Sequence, residues 1–276
     1  MNEVKFQRSS LIEIAIAAGL EISQVYASMG EEEQSVEYKS DNSPITNADR
    51  RAHVLIDQKL KLLSPDIPCL SEEGDYHEFT ERSKWSRYWL IDPLDGTKEF
   101  INRNGEFTVN IALIDNGMPI MGVVHVPCSE KTYFGSVEDG AWCFDGLNSG
   151  KKIETSQCQN PLRVVASRRH RGQFLENFIK RIEKSIGPVR TKSIGSSLKI
   201  CLLAEGSADL YPRFMPTSEW DTAAAHAVLA AAGGDIFDLN FKPLRYNTKD
   251  SLLNPSFVAV ADLNFDWKAA VNFQKQ

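Results

Sequence analysis

Apolar and small side chains return at Ile12, Ala15, Ile16, Gly19, Leu20 and Ser23, the spacing of one helix face, in a segment running from Ser9 to about Met29. Ser9 and Ser10 can cap its start, and the small stripe suits close packing against a neighbour. A second helix is predicted over Asn47–Leu63, with Ala52, Ile56, Lys59 or Leu60, and Leu63 on one side and Ser64-Pro65 ending it. The period then changes. "FTVNIALIDNGMPIMGVVHV" reads as two strands joined at Asp115-Asn116-Gly117, a hairpin signal because Asn and Gly tolerate positive φ, so an antiparallel sheet is expected in the first half. Past about Thr155, "LRVVAS" reads as a short buried strand, residues 172–185 as a helix, "GSSLKICLLAEG" as a helix start and "ADLYPRF" as a strand. Alternating strands and helices predict α/β organisation there. The division is drawn as 1–155, an α+β unit with the antiparallel sheet, and 156–276, an α/β unit. Without a repeat or a low-complexity linker between them, the halves are expected to pack tightly.

With 276 residues, 42% hydrophobic and 25% charged, the composition is that of an ordinary globular protein. A net charge of −6 argues against a general nucleic-acid binder, which would present a basic face. No apolar run approaching the roughly 20 residues of a membrane span is evident, and "MNEVKFQRSS" lacks the layout of a signal peptide. The acidic "EEEQ" at 31–34 is the opposite of what a membrane-surface helix needs. A cytoplasmic location is expected, with loose attachment to the inner face of a membrane as the alternative. The five cysteines are odd in number and carry no C-x-x-C and no histidine at ligand spacing, so neither structural disulfides nor zinc is expected. The assembly state stays open, with a monomer favoured.

The chemistry concentrates in acidic spots. The strand "YWLI" puts Asp92 at its carboxyl end, Pro93 fixes φ and removes a donor, and Gly96 allows a sharp turn, so Asp92 and Asp95 point to one side. Each spot has an ordinary reading: an Asx-type turn here, a solvated loop for Glu72 and Glu73, a helix cap for Asp221 at the start of "WDTAAAHAVLAAAGG", and a capping box for Thr46-x-x-Asp49. Four together change the weighing, because a hard divalent cation such as Mg²⁺ wants clustered carboxylate oxygens, water and a substrate phosphate.

In order, "TNAD", "SEE", "DPLDGT" and "WDTAAAHAVLAAAGG" closely resemble the inositol monophosphatase superfamily of Mg²⁺-dependent, lithium-sensitive phosphatases. The resemblance covers all but the chain ends. It implies a layered α-β-α-β-α sandwich, of the inositol monophosphatase and fructose-1,6-bisphosphatase type, with the site between the halves and two or three Mg²⁺ ions. It also implies that Glu72, Asp92, Asp95, Asp221 and the Leu94 carbonyl hold metal. Pro93 would help turn that carbonyl outward, and Gly96 and Thr97 would offer N–H groups to phosphate. Glu72 and Thr97, with Asp49 behind Thr97, would activate water, and Glu73 would sit behind Glu72.

The second half looks like the 3'(2'),5'-bisphosphate nucleotidase branch, which takes 3'-phosphoadenosine 5'-phosphate to AMP and phosphate. In "YPRFMPTSEWD", Arg213 stands about where inositol monophosphatases carry an acidic residue, and a guanidinium favours a second phosphate over a hydroxyl. "SRRH" supplies Ser167 and His170, and "GSSLK" supplies Gly195 and Lys199, as matches to nucleotide contacts. Substrate contacts are thus assigned to Leu94, Asp95, Gly96, Thr97, Ser167, His170, Gly195, Lys199, Arg213 and Asp221. His53, His77, His125 and His226 are assigned to packing or solvent. Three readings compete with the nucleotidase: an inositol (poly)phosphate phosphatase, a non-catalytic nucleotide sensor, and a plain Ca²⁺ module, which lacks its D-x-D-x-D-G loop.

Overall fold

A computed structural model describes residues 8–28, 37–38, 44–146, 149–167 and 173–271. Helices α1 (Arg8–Ser28) and α2 (Asn47–Leu63) are followed by a seven-stranded sheet; β1 (Glu37–Tyr38) and β2 (Pro44–Ile45) form a small antiparallel ladder between the two helices. The sheet runs in sequence order through β3 (Cys69–Ser71), β4 (Arg87–Asp95), β5 (Thr108–Asp115), β6 (Met118–Val126), β7 (Lys131–Ser136), β8 (Gly140–Asp145) and β9 (Lys151–Ile153). Only β3–β4 is parallel; every other neighbouring pair is antiparallel. Short helices α3 (Phe79–Arg82) and α4 (Thr97–Ile101) precede and follow β4. The β5–β6 hairpin turns at Asn116 and Gly117, both at positive φ, as the sequence predicts.

The remaining strands are β10 (Leu162–Ser167), β11 (Val189–Ile194), β12 (Leu210–Arg213), β13 (Asp235–Asp238) and β14 (Phe257–Val260). They form a mixed sheet in the order β11-β10-β12-β14-β13. With them come α5 (Gln173–Ser185), α6 (Leu198–Ala204), α7 (Trp220–Ala232) and α8 (Trp267–Val271). Three buried clusters define the layers. α1 and α2 pack on one face of the large sheet through Ile22, Ala52, Trp89 and Ile111. Its other face and the small sheet enclose α6 and α7 through Leu90, Val124, Leu203, Ala225 and Ile236. α5 and α8 cover the outside of the small sheet through Phe178, Trp267 and Val258. This is the α-β-α-β-α sandwich that the resemblance implies.

α7 is alanine-rich for a reason of space: a Cβ on Gly135 of β7 would stand 2.5 Å from the Val228 Cα. Helix and sheet meet backbone to backbone, which fixes where the first turn of α7 sits.

Two expectations need correction. The buried face of α1 is Leu11, Ile14, Ala15, Ala18, Gly19, Ile22 and Val25, sharing only Ala15 and Gly19 with the predicted stripe; Leu20 is 60% exposed. The helix is apolar on nearly every side, so periodicity marks no single face. Contact does, since a Cβ on Gly19 would stand 2.4 Å from the His125 ring. By length and composition α1 is also apolar enough to cross a membrane, contrary to the reading of the sequence, and 44% of that stretch is buried within the protein. In α2 the buried side is as expected at Ala52 and Ile56, and of the alternatives left open it is Leu60 that is buried, with Leu63 partly so.

Candidate active site

The parallel β3–β4 pair sets Ser71 beside Ile91, and the Glu72 N–H donates to the Ile91 carbonyl at 3.1 Å. Glu72 therefore leaves β3 next to Asp92. β4 does not end at Asp92 as expected. Asp92 pairs with Asn110 and Asp95 with Thr108, so three steps on β4 face two on β5 and one extra residue bulges out. Pro93 has no N–H to lose from the ladder, and the Leu94 N–H turns back to Asp92 Oδ1 at 3.0 Å. Gly96 then takes φ +92 ahead of α4, a conformation closed to most L-residues.

α7 delivers Asp221 in its first turn, with Oδ2 accepting the Ser218 N–H at 2.9 Å. Glu72, Asp92 and Asp221 present carboxylate oxygens that all lie within 4.8 Å of one another. Burial raises Asp92 and Asp221 well above the usual carboxylate range, and repulsion from the neighbouring carboxylates adds to it. Asp95, raised to about 6, is pushed up by burial and pulled back by Lys199 and the Ser197 N–H. Asp95 is not among the three clustered groups; one of its oxygens accepts the Ser197 N–H. A partly buried, oxygen-only set with surplus negative charge is the donor chemistry of a hard divalent cation.

Asp49 is the N3 residue of α2 in a reciprocal box with Thr46, as predicted: its Oδ2 accepts the Thr46 N–H at 2.8 Å. The other oxygen accepts from Thr97 Oγ1 at 3.3 Å, and that hydroxyl also lies 3.4 Å from the Leu94 carbonyl. Burial raises Asp49 to about 6, opposed by its Thr46 hydrogen bonds and reinforced by the charge of Glu73.

Asp95 and Asp221 open onto a cleft of about 130 Å³. Gly96, Ser167, Gly195, Lys199 and Arg213 line it too, bringing most of the predicted substrate contacts to one place. His170 lies outside the described residues, as do Arg168, Arg169 and Arg171. Lys199 is 6% exposed; its Nζ donates to the Ile194 and Ser196 carbonyls and lies 5.3 Å from the centre of the Tyr211 ring. Burial lowers Lys199 to about 8, against the pull of Asp95. Arg213 is held by the Met215 and Pro216 carbonyls at 2.9 and 3.0 Å. The Gly195 N–H is already committed, donating to Glu106 Oε2 at 2.7 Å.

The cleft has walls that sequence reasoning did not single out: Lys98, Glu99, Ser196, Ser197, Tyr211, Thr217 and Thr222. Several flank named residues directly, so adjacency was their only signal. The four histidines assigned to packing or solvent stand apart from the cleft. His226 is fully buried between the Tyr246 hydroxyl at 2.9 Å and Asp235 at 2.7 Å, and His53 meets the Ser71 hydroxyl at 3.0 Å.

Comparison with known proteins adds a family. The model of the inositol monophosphatase family matches residues 7–268. The chain is 51% identical over 245 residues to an Escherichia coli protein named 3'(2'),5'-bisphosphate nucleotidase CysQ, covering 89% of this chain and 96% of that protein. A Haemophilus influenzae protein of the same name is 38% identical over 263 residues, covering 94% of each chain. Among solved structures, CysQ from Bacteroides thetaiotaomicron, described as a bacterial member of the inositol monophosphatase family, is similar at 42% identity and a TM-score of 0.81, over 92% of this chain and 96% of that one. The IMPase of Thermotoga maritima is similar at 25% identity and a TM-score of 0.72, over 95% of this chain and 93% of that one.

Proposed function

The chain belongs to the inositol monophosphatase family, and from that premise we propose that it is a Mg²⁺-dependent 3'(2'),5'-bisphosphate nucleotidase. It removes the 3'-phosphate of 3'-phosphoadenosine 5'-phosphate to leave AMP, with the 5'-phosphosulfate relative as a further substrate, and serves sulfur assimilation in the cytoplasm. The observation that carries this reading is the pair of cations, Lys199 and Arg213, in the same cleft as Asp95 and Asp221. One wall of the cleft suits a cation-held phosphoryl group; the other suits a second, non-reacting phosphate.

Glu72, Asp92, Asp95, Asp221 and the Leu94 carbonyl would hold the ions. When bound, Mg²⁺ would neutralise phosphoryl charge and make the attacking water easier to deprotonate. The protein's own groups do the rest. Ionised Asp49 accepts the Thr97 hydroxyl hydrogen, leaving a Thr97 lone pair to accept a hydrogen bond from the attacking water while Glu72 orients it; as that water gives its proton to Thr97, the Thr97 proton passes to Asp49, which ends as the neutral acid. Gly96, at the head of α4, lets the backbone approach the phosphoryl oxygens. Lys199 and Arg213 need little reordering on binding, because backbone carbonyls already fix their heads.

Identification of the product tests the proposal: chromatography should return AMP and inorganic phosphate in equal amounts. Adenosine 3'-phosphate as the product would reverse the roles given to the two walls. Inhibition by Li⁺ at low millimolar levels or below is expected on family grounds. Hydrolysis of inositol phosphates is the second reading, supported by the likeness to the Thermotoga maritima enzyme.

A further inference from the structure

We infer that Ser197 is a positioning residue whose hydroxyl fixes the orientation of the Asp95 carboxylate. Ser197 is 3% exposed, and its backbone N–H donates to Asp95 Oδ2 across 102 residues of chain. Its side chain meets two partners on β5: Asn110 Oδ1 accepts from Ser197 Oγ at 2.7 Å, and Thr108 Oγ1 lies 2.9 Å away. A serine hydroxyl has one hydrogen, so with that hydrogen on Asn110 the Thr108 hydroxyl is the donor of the second bond.

The identity of these partners is what gives the arrangement its meaning. Asn110 is paired across the sheet with Asp92, and Thr108 with Asp95. Ser197 is therefore seated on the two residues of β5 that frame the bulge, and it passes that frame's position to Asp95 through its own N–H. The turn it belongs to would not hold its place unaided. Ser196 sits at φ +46, a conformation that L-residues disfavour, and the turn is tied down by the Gly195 N–H on Glu106 and by Lys199 Nζ on the Ser196 carbonyl. With one oxygen of Asp95 occupied by the Ser197 N–H, the other would be the one available to a cation. Ser197 thus joins the half of the chain that carries the cationic wall to the half that carries most of the carboxylates.

The inference rests on the cation site proposed above, and its test separates the two. Mn²⁺ binding to the metal-free protein is measured by calorimetry, alongside thermal melts. Ser197→Ala, which keeps the backbone N–H, and Thr108→Val, which removes only the partner hydroxyl, should each weaken Mn²⁺ binding by about 5- to 10-fold, the scale of one net hydrogen bond. Thr108→Val decides the matter if Ser197→Ala does not fold. Thr132→Val removes another fully buried hydroxyl, bonded to His125 at 2.9 Å against the α1 layer, and should lower the melting temperature without changing Mn²⁺ affinity. Asp95→Asn should weaken Mn²⁺ binding more than either test variant. Wild-type Mn²⁺ affinity in Ser197→Ala and Thr108→Val, with a loss in Asp95→Asn, overturns this inference alone. Equal weakening in Thr132→Val overturns it too, since general loosening would then be the cause. Wild-type affinity in Asp95→Asn overturns both the inference and the cation site beneath it.

Discussion

Gly122 of β6 lies directly against Ala224 of α7: a Cβ added to the glycine would stand 2.3 Å from the Ala224 carbonyl oxygen and 2.9 Å from its Cα. Both obstacles are backbone, so the helix has to move. Asp221 is one turn away on the same helix, and its distance from Glu72 and Asp92 is set by this contact. Gly122→Ala is expected to cost about 1–3 kcal/mol of stability and to raise the Mg²⁺ concentration needed for half-maximal activity. Thermal melts and Mg²⁺ titrations of activity check this; an unchanged melting temperature would contradict the packing argument.

Asp95→Asn keeps the side chain's volume and removes its charge. Turnover at saturating Mg²⁺ should fall below about a tenth of wild type. The metal-free variant should be at least as stable as the wild type, because burial already disfavours the ionised form of Asp95. Retained turnover would remove Asp95 from the ligand set.

The carboxylates also set a pH dependence. Asp95 is raised to about 6 in the fold, against an ordinary aspartate near 3.9. Between those values the metal-free native protein binds more protons than the unfolded chain, so this group's contribution to stability is full at low pH and is lost as pH rises through about 6. Asp92 and Asp221 act in the same direction. A cation competes with those protons, so added Mg²⁺ should raise the melting temperature more at about pH 7.5 than at about pH 5. Paired melts with and without Mg²⁺ at each pH read this directly, and a larger gain at the lower pH would contradict it.

The two cations assigned to the second phosphate, Lys199 and Arg213, should behave differently. Arg213 is anchored by the Met215 and Pro216 carbonyls and bonds the Tyr211 hydroxyl, so Arg213→Ala should chiefly raise KM for the bisphosphate, by about 10- to 150-fold for the loss of a charge-assisted contact. Lys199 also holds the Ile194 and Ser196 carbonyls, so Lys199→Ala should impair a substrate lacking the 5'-phosphate as well. Steady-state kinetics on both substrates check the split. Equal losses on both substrates in Arg213→Ala would show that it supports the structure and does not read the second phosphate.

How much of this was legible in the sequence depended on how local each cause was. The Asp115-Asn116-Gly117 hairpin and the Thr46/Asp49 capping box are decided within a few residues, and the structure has them where the sequence puts them. The number of acidic spots suggested a shared cation, but which acids meet could be read only through family resemblance, since Glu72, Asp92 and Asp221 come together through sheet pairing and helix packing far apart in the chain. The bulge at Pro93 and Leu94 reads as a strand end in the sequence because a bulge exists only relative to its partner, here Asn110 and Thr108. The buried face of α1 is not legible in its pattern because a helix apolar on most sides is oriented by what it touches. Ser197 carried no signal beyond standing inside "GSSLK"; its importance comes from Asn110, Thr108 and Asp95, all more than 80 residues away.

As a nucleotidase, the protein would use one cleft to place a phosphoryl group against carboxylate-held cations and a second phosphate against Lys199 and Arg213. The most direct measurement is the ratio of kcat/KM for 3'-phosphoadenosine 5'-phosphate to that for inositol 1-phosphate, in the same Mg²⁺ buffer and read as released phosphate. Two added cationic contacts predict a ratio on the order of 10² or more in favour of the nucleotide, falling by about tenfold or more in Arg213→Ala. A ratio near one, or one unmoved by that substitution, would contradict the account.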